Sequence, residues 1–230
     1  MLEGLTVIIQ ARCSSRRLPG KVLREVAGKP MIGYLIDRVR QSRSIGRLVV
    51  ATSDEESDDR LASWCDATGI SCFRGPLDDV AARFLAAARH WDLPAFVRLN
   101  ADSPLLDPAI IDRAVSVFRE DACDLATNTL VRSFPKGQSV EVISTDSLRQ
   151  AHPRMSDEER EHVTVHFYRN AGDYRIRNFS FTEDRSTLQL SVDTEEDFAR
   201  FQTLVAAMDR PHWEYGLEEL LTMLPSAGRS

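Results

Sequence analysis

The sequence predicts an α/β fold: a Rossmann-like, mostly parallel sheet with a mixed C-terminal half, in a single domain spanning 1–230. Three observations predict it. Short apolar, β-branched runs alternate four times with amphipathic stretches, the order that parallel βαβ units produce. The rhythm changes past about residue 124, where candidate strands are separated by irregular or helical stretches. The 230 residues, 43% of them hydrophobic, supply one sizeable core and are marginal for two.

The first strand is predicted at 5–9, Leu5-Thr6-Val7-Ile8-Ile9, apolar enough to be buried on both faces. A loop over 11–29 follows. Pro30 suits the first position of a helix, on which Met31, Ile32, Leu35, Ile36 and Val39 recur with helical spacing. A strand over 48–51 leads to a helix whose start carries Ser53-Asp54-Glu55-Glu56, a candidate capping box, and which ends near Gly69. Strand 70–73 precedes helix 78–91. Strand 95–99 precedes helix 108–120, with Asp107 as its N-cap. Beyond the change of rhythm, strands are predicted over 140–143, 174–181 and 188–192. Helices are predicted over 195–208 and 215–224, and the tail 225–230 is expected to fray.

A formal charge of −6 argues against a nucleic-acid or anionic-membrane surface, since both require a cationic face. The N-terminus has neither a basic leader nor a long apolar run, so a cytoplasmic protein is expected. The four cysteines, Cys13, Cys65, Cys72 and Cys123, contain no C-x-x-C pair; free thiols are expected rather than a disulfide frame or zinc knuckle.

Between first strand and first helix lies Gln10-Ala11-Arg12-Cys13-Ser14-Ser15-Arg16-Arg17-Leu18-Pro19-Gly20-Lys21. It stands at the carboxyl end of a central strand, where open α/β sheets place ligands. Arg12, Arg16, Arg17 and Lys21 concentrate positive charge on one loop of an acidic chain, beside the hydroxyls of Ser14 and Ser15. A polyanion with several phosphates fits this composition; solvated surface charge is the plainer alternative. The loop is not a Walker A motif, because Val22 follows Gly20-Lys21 and Ser15 stands where that motif needs glycine, and no G-x-G-x-x-G follows the strand.

Two aspartates, Asp102 and Asp193, each follow an apolar run at a predicted strand end. Carboxylates so placed can share one Mg²⁺, a hard cation that takes oxygen ligands and phosphates. Each also has a structural reading, Asp102 in a turn before Pro104 and Asp193 with Thr194 at a helix start. Asp78 and Asp79 can likewise do no more than favour a helix N-terminus. Glu141 is more telling, because a carboxylate inside an apolar strand must be paired, exposed or functional. His162 and His166 are four apart, but Val163 stands where the zinc motif H-E-x-x-H has glutamate, which points to a surface pair.

The run from Ile8 to Leu23 resembles the signature A-R-x-x-S-x-R-L-P-G-K of the cytidylyltransferases that activate sugar acids, including the spore-coat polysaccharide group. Segment 98–107 is similar to that family's T-G-D-x-P-L-x-D, 191–197 to its V-D-T-x-x-D, 73–84 to its R-G-x-x-D-D-V-x-x-R-[YF], 135–142 to its P-x-G-x-x-V-E-V and 160–164 to its R-E-H-V-T. The resemblance implies a nucleotide-diphospho-sugar transferase (GT-A-like) fold, with 1–123 as nucleotide-binding half and 124–225 as acceptor and dimerisation half. It also implies transfer of CMP from CTP to a sugar-like acceptor with Mg²⁺, and a homodimer. Arg12 and Lys21 would be catalytic; Gln10, Ala11, Ser15, Arg17, Arg74 and Asp79 nucleotide-binding; Glu141 and His162 acceptor-binding; Asp102 and Asp193 metal-binding. Ser14, Arg16, Asn100 and Ala101 depart from the family pattern, which keeps a second reading open: a non-catalytic nucleotide-binding or partner-binding protein on the same fold.

Overall fold

The computed structural model describes residues 4–121 and 123–224, apart from the side chain of residue 121. Seven strands form one sheet in the order β5-β4-β1-β6-β8-β7-β9. These strands are β1 (Leu5–Gln10), β4 (Ile45–Ser53), β5 (Ser71–Gly75), β6 (Ala95–Asn100), β7 (Leu125–Thr127), β8 (Glu141–Ser144) and β9 (Ile176–Asn178). A separate hairpin pairs β2 (Glu25–Val26) with β3 (Lys29–Pro30). β5, β4, β1 and β6 run parallel, β8 is antiparallel to β6 and β7, and β9 is parallel to β7. The mostly parallel sheet with a mixed C-terminal half is therefore present.

Residues alternate in side along β1, and both sides are buried, as an α/β sheet covered on two faces requires. Val7 and Ile9 meet α1 (Met31–Val39), α2 (Asp59–Ala67), α4 (Pro108–Asp121), α8 (Glu195–Ala206) and α9 (Leu217–Met223) in one apolar cluster. Ile8 joins Phe96, Leu125 and Ile143 in a second cluster, covered by α3 (Val80–His90), α5 (Thr145–Ala151) and α7 (Val165–Arg169). The remaining helix, α6 (Asp157–His162), carries a full capping box, Ser156 with Glu159.

Four sequence expectations change. Pro30 precedes the first helical residue instead of occupying it, because Lys29–Pro30 is committed to the hairpin. Ser53 does not open a capping box: it ends β4, and its hydroxyl bonds Asp58, so α2 starts only at Asp59. The run 188–192 forms no strand but a single bridge, Gln189 to Lys136, because Ser191 N turns back onto Lys136 O at 3.2 Å and Val192 N goes to Asp102 O at 2.8 Å. Of 174–181 only Ile176–Asn178 pairs, and it pairs with Leu125–Thr127, a strand too short for a periodicity signal. The tail 225–230 lies outside the described residues.

The strand order fixes where a ligand would bind. From β1 the chain steps to β4 and β5 on one side, then returns to place β6 on the other, so the topological switch point lies between β1 and β6. Crevices at the carboxyl ends of strands flanking such a point are the usual ligand sites of open α/β sheets. Gln10 and Asn100 pair across it as the last residues of their strands. Among the described residues no helix is long and apolar enough to cross a membrane.

Candidate active site

The loop after β1 is held by its small apolar residues and presents its charges. Ala11, Cys13 and Leu18 are buried, whereas Ser14, Arg16 and Arg17 are exposed and Arg12 and Ser15 half-buried. Ala11 N donates to Ala51 O at 3.1 Å, and Gly20 N returns to Cys13 O at 2.8 Å, closing the loop on itself. That closure needs a left-handed residue, which Gly20 supplies at φ +69°. Lys21 N then donates to Leu18 O and opens a 3₁₀ turn, Lys21–Leu23.

Beneath the loop lies a fully buried carboxylate that no motif signalled. Asp58 accepts Cys13 N at 2.6 Å and Ser53 N at 3.1 Å, besides the Ser53 hydroxyl. It ties the loop to the end of β4. Burial, and the nearby Asp58 charge, push the Cys13 thiol up, so it is no nucleophile at neutral pH. Cys13, Cys65 and Cys72 are free thiols, as expected.

The two aspartates meet across the switch point. Val192 N donates to Asp102 O, drawing the two segments together, and the Lys21 ammonium sits between their carboxylates. Lys21 Nζ is 3.0 Å from Asp193 Oδ1, 3.8 Å from Asp102 Oδ2 and 2.6 Å from Val192 O. Arg17 Nη2 reaches Asp193 Oδ1 at 3.3 Å. Desolvation raises the Asp102 carboxyl above its ordinary range, Lys21 opposes that, and Asp193 adds to it. Asp197 closes the far side, accepting Asp193 N and Thr194 N at 3.0 Å each, so the helix cap and the placement of Asp193 are one device. Among the described residues no three His, Cys, Asp or Glu side chains gather as a metal cage. The two carboxylates are a hard-oxygen set that would leave other positions to phosphate oxygens and water, as Mg²⁺ sites do.

Other sequence candidates are engaged with the protein itself. Arg74 donates to Ser53 O and Glu55 O and pairs with Asp59 at 2.7 Å, bracing the β4–α2 connection. Asp79 caps α3 through Ala82 N at 2.8 Å and holds His152 Nε2 at 2.9 Å. Ser15 Oγ accepts Leu18 N at 3.4 Å. Arg12 pairs with Glu161 at 3.4 Å, joining the loop to α6.

On the face of the sheet below α3 and α7, a polar row crosses from the loop into the second half. Gln10 Oε1 accepts Arg98 Nη2 at 3.0 Å; Arg98 forms an ion pair with Glu141; Glu141 also accepts Thr164 Oγ1 at 2.8 Å and Tyr168 OH at 2.5 Å. Burial works against charge on Glu141, but Arg98, Tyr168 and Thr164 together hold it below the ordinary carboxylate range. Burial first, and then the Glu141 carboxylate it bonds, push the Tyr168 phenol up. Arg98 lies directly across from Glu141 in the β6–β8 register, a relation that spacing along the chain cannot disclose. His162 is exposed at the end of α6, but His166 is buried between Glu159 and Tyr174, at 3.3 and 3.1 Å, so the two do not form the expected surface pair. Between His162 and Thr164, Val163 adopts φ +48°, ψ −65°, with Thr164 N bonding His162 O at 2.6 Å. This is a γ-turn of the strained sign on a β-branched, fully buried residue. It turns Thr164 toward Glu141 while Glu161, on the other side, reaches Arg12.

Comparison with known proteins places the chain among relatives. A family model described as cytidylyltransferase matches residues 6–221. The spore coat polysaccharide biosynthesis protein SpsF of Bacillus subtilis (strain 168) is 32% identical over 232 residues, 97% of this chain and 95% of that protein. The 3-deoxy-manno-octulosonate cytidylyltransferase of Aeromonas salmonicida (strain A449) is 33% identical over 129 residues, 54% of this chain and 49% of that one. A cytidylyltransferase structure from Leptospira borgpetersenii serovar Hardjo-bovis superposes with a TM-score of 0.90 at 27% identity, covering 96% and 93% of the two chains.

Proposed function

Because the chain belongs to the cytidylyltransferase family, we propose that it transfers CMP from CTP to a sugar acid or related sugar-like acceptor and releases pyrophosphate. The observation that carries this reading is the convergence of Lys21, Asp102 and Asp193 at the switch point, under a loop that presents Arg12, Arg16 and Arg17. Cations and carboxylates so arranged suit a magnesium triphosphate.

In this reading the loop from Gln10 to Lys21 wraps the triphosphate, with Ser15 and the backbone of Gln10 and Ala11 lining its path. Arg12, Arg17 and Lys21 oppose the charge that grows on the leaving pyrophosphate. Asp102 and Asp193 would hold Mg²⁺, which when bound would polarise the α-phosphate and orient it for in-line attack. An acceptor oxygen forms the new bond to the α-phosphorus as the bond to the bridging oxygen breaks. Glu141 supports the acceptor half indirectly, since its oxygens are taken by Arg98, Thr164 and Tyr168. Asp79 and Arg74 shape the base-side wall through α3 and the β4–α2 connection. His162, exposed next to Glu161, which pairs with Arg12 of the loop, would meet the acceptor. Pyrophosphate release from CTP over a panel of sugar acids and sugar phosphates tests the reading, and nucleotide binding without release would favour the non-catalytic alternative.

A further inference from the structure

Lys21 is buried at the start of a 3₁₀ turn, yet its ammonium does not simply fill a hole in the core. It has two donors committed, one to Val192 O at 2.6 Å and one to Asp193 Oδ1 at 3.0 Å, and faces Asp102 Oδ2 at 3.8 Å. A divalent ion shared by the two carboxylates would approach their oxygens to about 2.1 Å, inside the space where the ammonium lies. The two cations compete for it, because like charges at that separation repel.

We propose that Lys21 is a resident counter-ion of the Asp102–Asp193 pair, and that the pair opens to a divalent cation only when a triphosphate draws the ammonium away. This rests on the transferase reading and adds an order of events to it. The backbone supports such a displacement. Lys21 N is fixed to Leu18 O, and Gly20 N to Cys13 O, so the turn stays in place while the flexible four-carbon stem swings. Its destination is on the same loop, where a bound triphosphate would lie beside Arg12 and Arg17. In the empty protein the pair keeps a compensating charge throughout, which is what two partly buried carboxylates at close quarters need. Arg17, mostly exposed, adds only a screened contribution at Asp193 Oδ1.

The test uses Mn²⁺ as the probe, with the free ion followed by electron paramagnetic resonance and the full-length chain in excess. Wild-type protein without nucleotide is expected to bind Mn²⁺ weakly at this position. Lys21→Gln, which keeps a donor for Val192 O, is expected to bind it at least about tenfold more tightly, the lower end of what removing a nearby like charge does to an ionic equilibrium. Asp102→Asn in that background should remove the gain. A wild-type protein that binds Mn²⁺ tightly and Asp102-dependently without CTP overturns the proposal, whether or not the Lys21 variant folds. So does a folded Lys21→Gln with no gain. Failure of the underlying reading looks different: wild-type protein would then show no Asp102-dependent Mn²⁺ binding even with CTP present.

Discussion

The Asp58 carboxylate accepts the backbone N–H of Cys13 at 2.6 Å across forty-five positions of chain, and so makes the end of β4 the anchor of the loop after β1. Asp58 is fully buried and also serves Ser53 N and Ser53 Oγ. Asp58→Ala strands two buried N–H groups, each worth about 1–3 kcal/mol when left unsatisfied. Urea denaturation should show a loss of about 3 kcal/mol or more, and CTP affinity should fall with it. A variant with unchanged stability and affinity would remove Asp58 from this role.

Glu141 carries a pH dependence of stability. Its folded carboxyl titrates below the unfolded value of about 4.3. The charged form therefore favours folding above that value, and the contribution is lost as pH falls through the lower folded one. Glu141→Gln should flatten the acid limb of a stability-against-pH curve. Glu141→Ala leaves Arg98 buried and unpaired and should cost about 3–5 kcal/mol at neutral pH, measured by denaturant titration.

At Val163 the ordinary order of substitutions is expected to invert. Glycine usually destabilises more than alanine by up to about 1 kcal/mol, but here φ is +48°, where every residue with a Cβ is strained. Val163→Ala keeps the strain and loses packing, while Val163→Gly loses packing and relieves the strain. Thermal melts should find Val163→Gly no less stable than Val163→Ala. The ordinary order would mean that the γ-turn stores no strain.

Gly137 lets two segments touch. It has φ +92°, and a Cβ there would fall 2.6 Å from the Leu190 carbonyl carbon and against Ser191 N. Gly137→Ala must push 188–192 away, and with it Asp193. A stability loss of about 1–3 kcal/mol, together with a larger loss of CTP turnover, is expected. Gly172→Ala, whose Cβ meets nothing within 4 Å, should show neither.

What the sequence disclosed and what it hid divide along physical lines. The parallel half was legible because β1, the second half of β4 and most of β6 are buried on both faces and write that burial as largely apolar runs, while α1 and α4 show helical spacing. The second half was not, because β7 and β9 are three residues each and are defined by partners far along the chain. The run 188–192 looks like a strand by composition, yet Lys136 and Asp102 take its hydrogen bonds. The site divides similarly. The loop cations and the two aspartates stand at element ends and could be named from position. Asp58, Arg98 and the Lys21–Val192 bond are tertiary relations, and nothing in local spacing marks them. Arg74 and Asp79 were legible as residues, but each is committed to bracing or capping nearby backbone.

The central claim is that the carboxylates gathered around Lys21 serve transfer of CMP from CTP. The most direct measurement is Mg²⁺-dependent pyrophosphate release from CTP against a panel of sugar acids and sugar phosphates, with Asp102→Asn beside the wild type. Because burial holds the Asp102 carboxyl above its ordinary range, with Lys21 opposing the shift, its charge does not support the fold, and neutral asparagine should leave the fold intact. Release by the wild type with one acceptor, at least about a hundredfold lower in a folded Asp102→Asn, is the expected result. Equal release by the two proteins, or no CTP binding by the wild type, would contradict it.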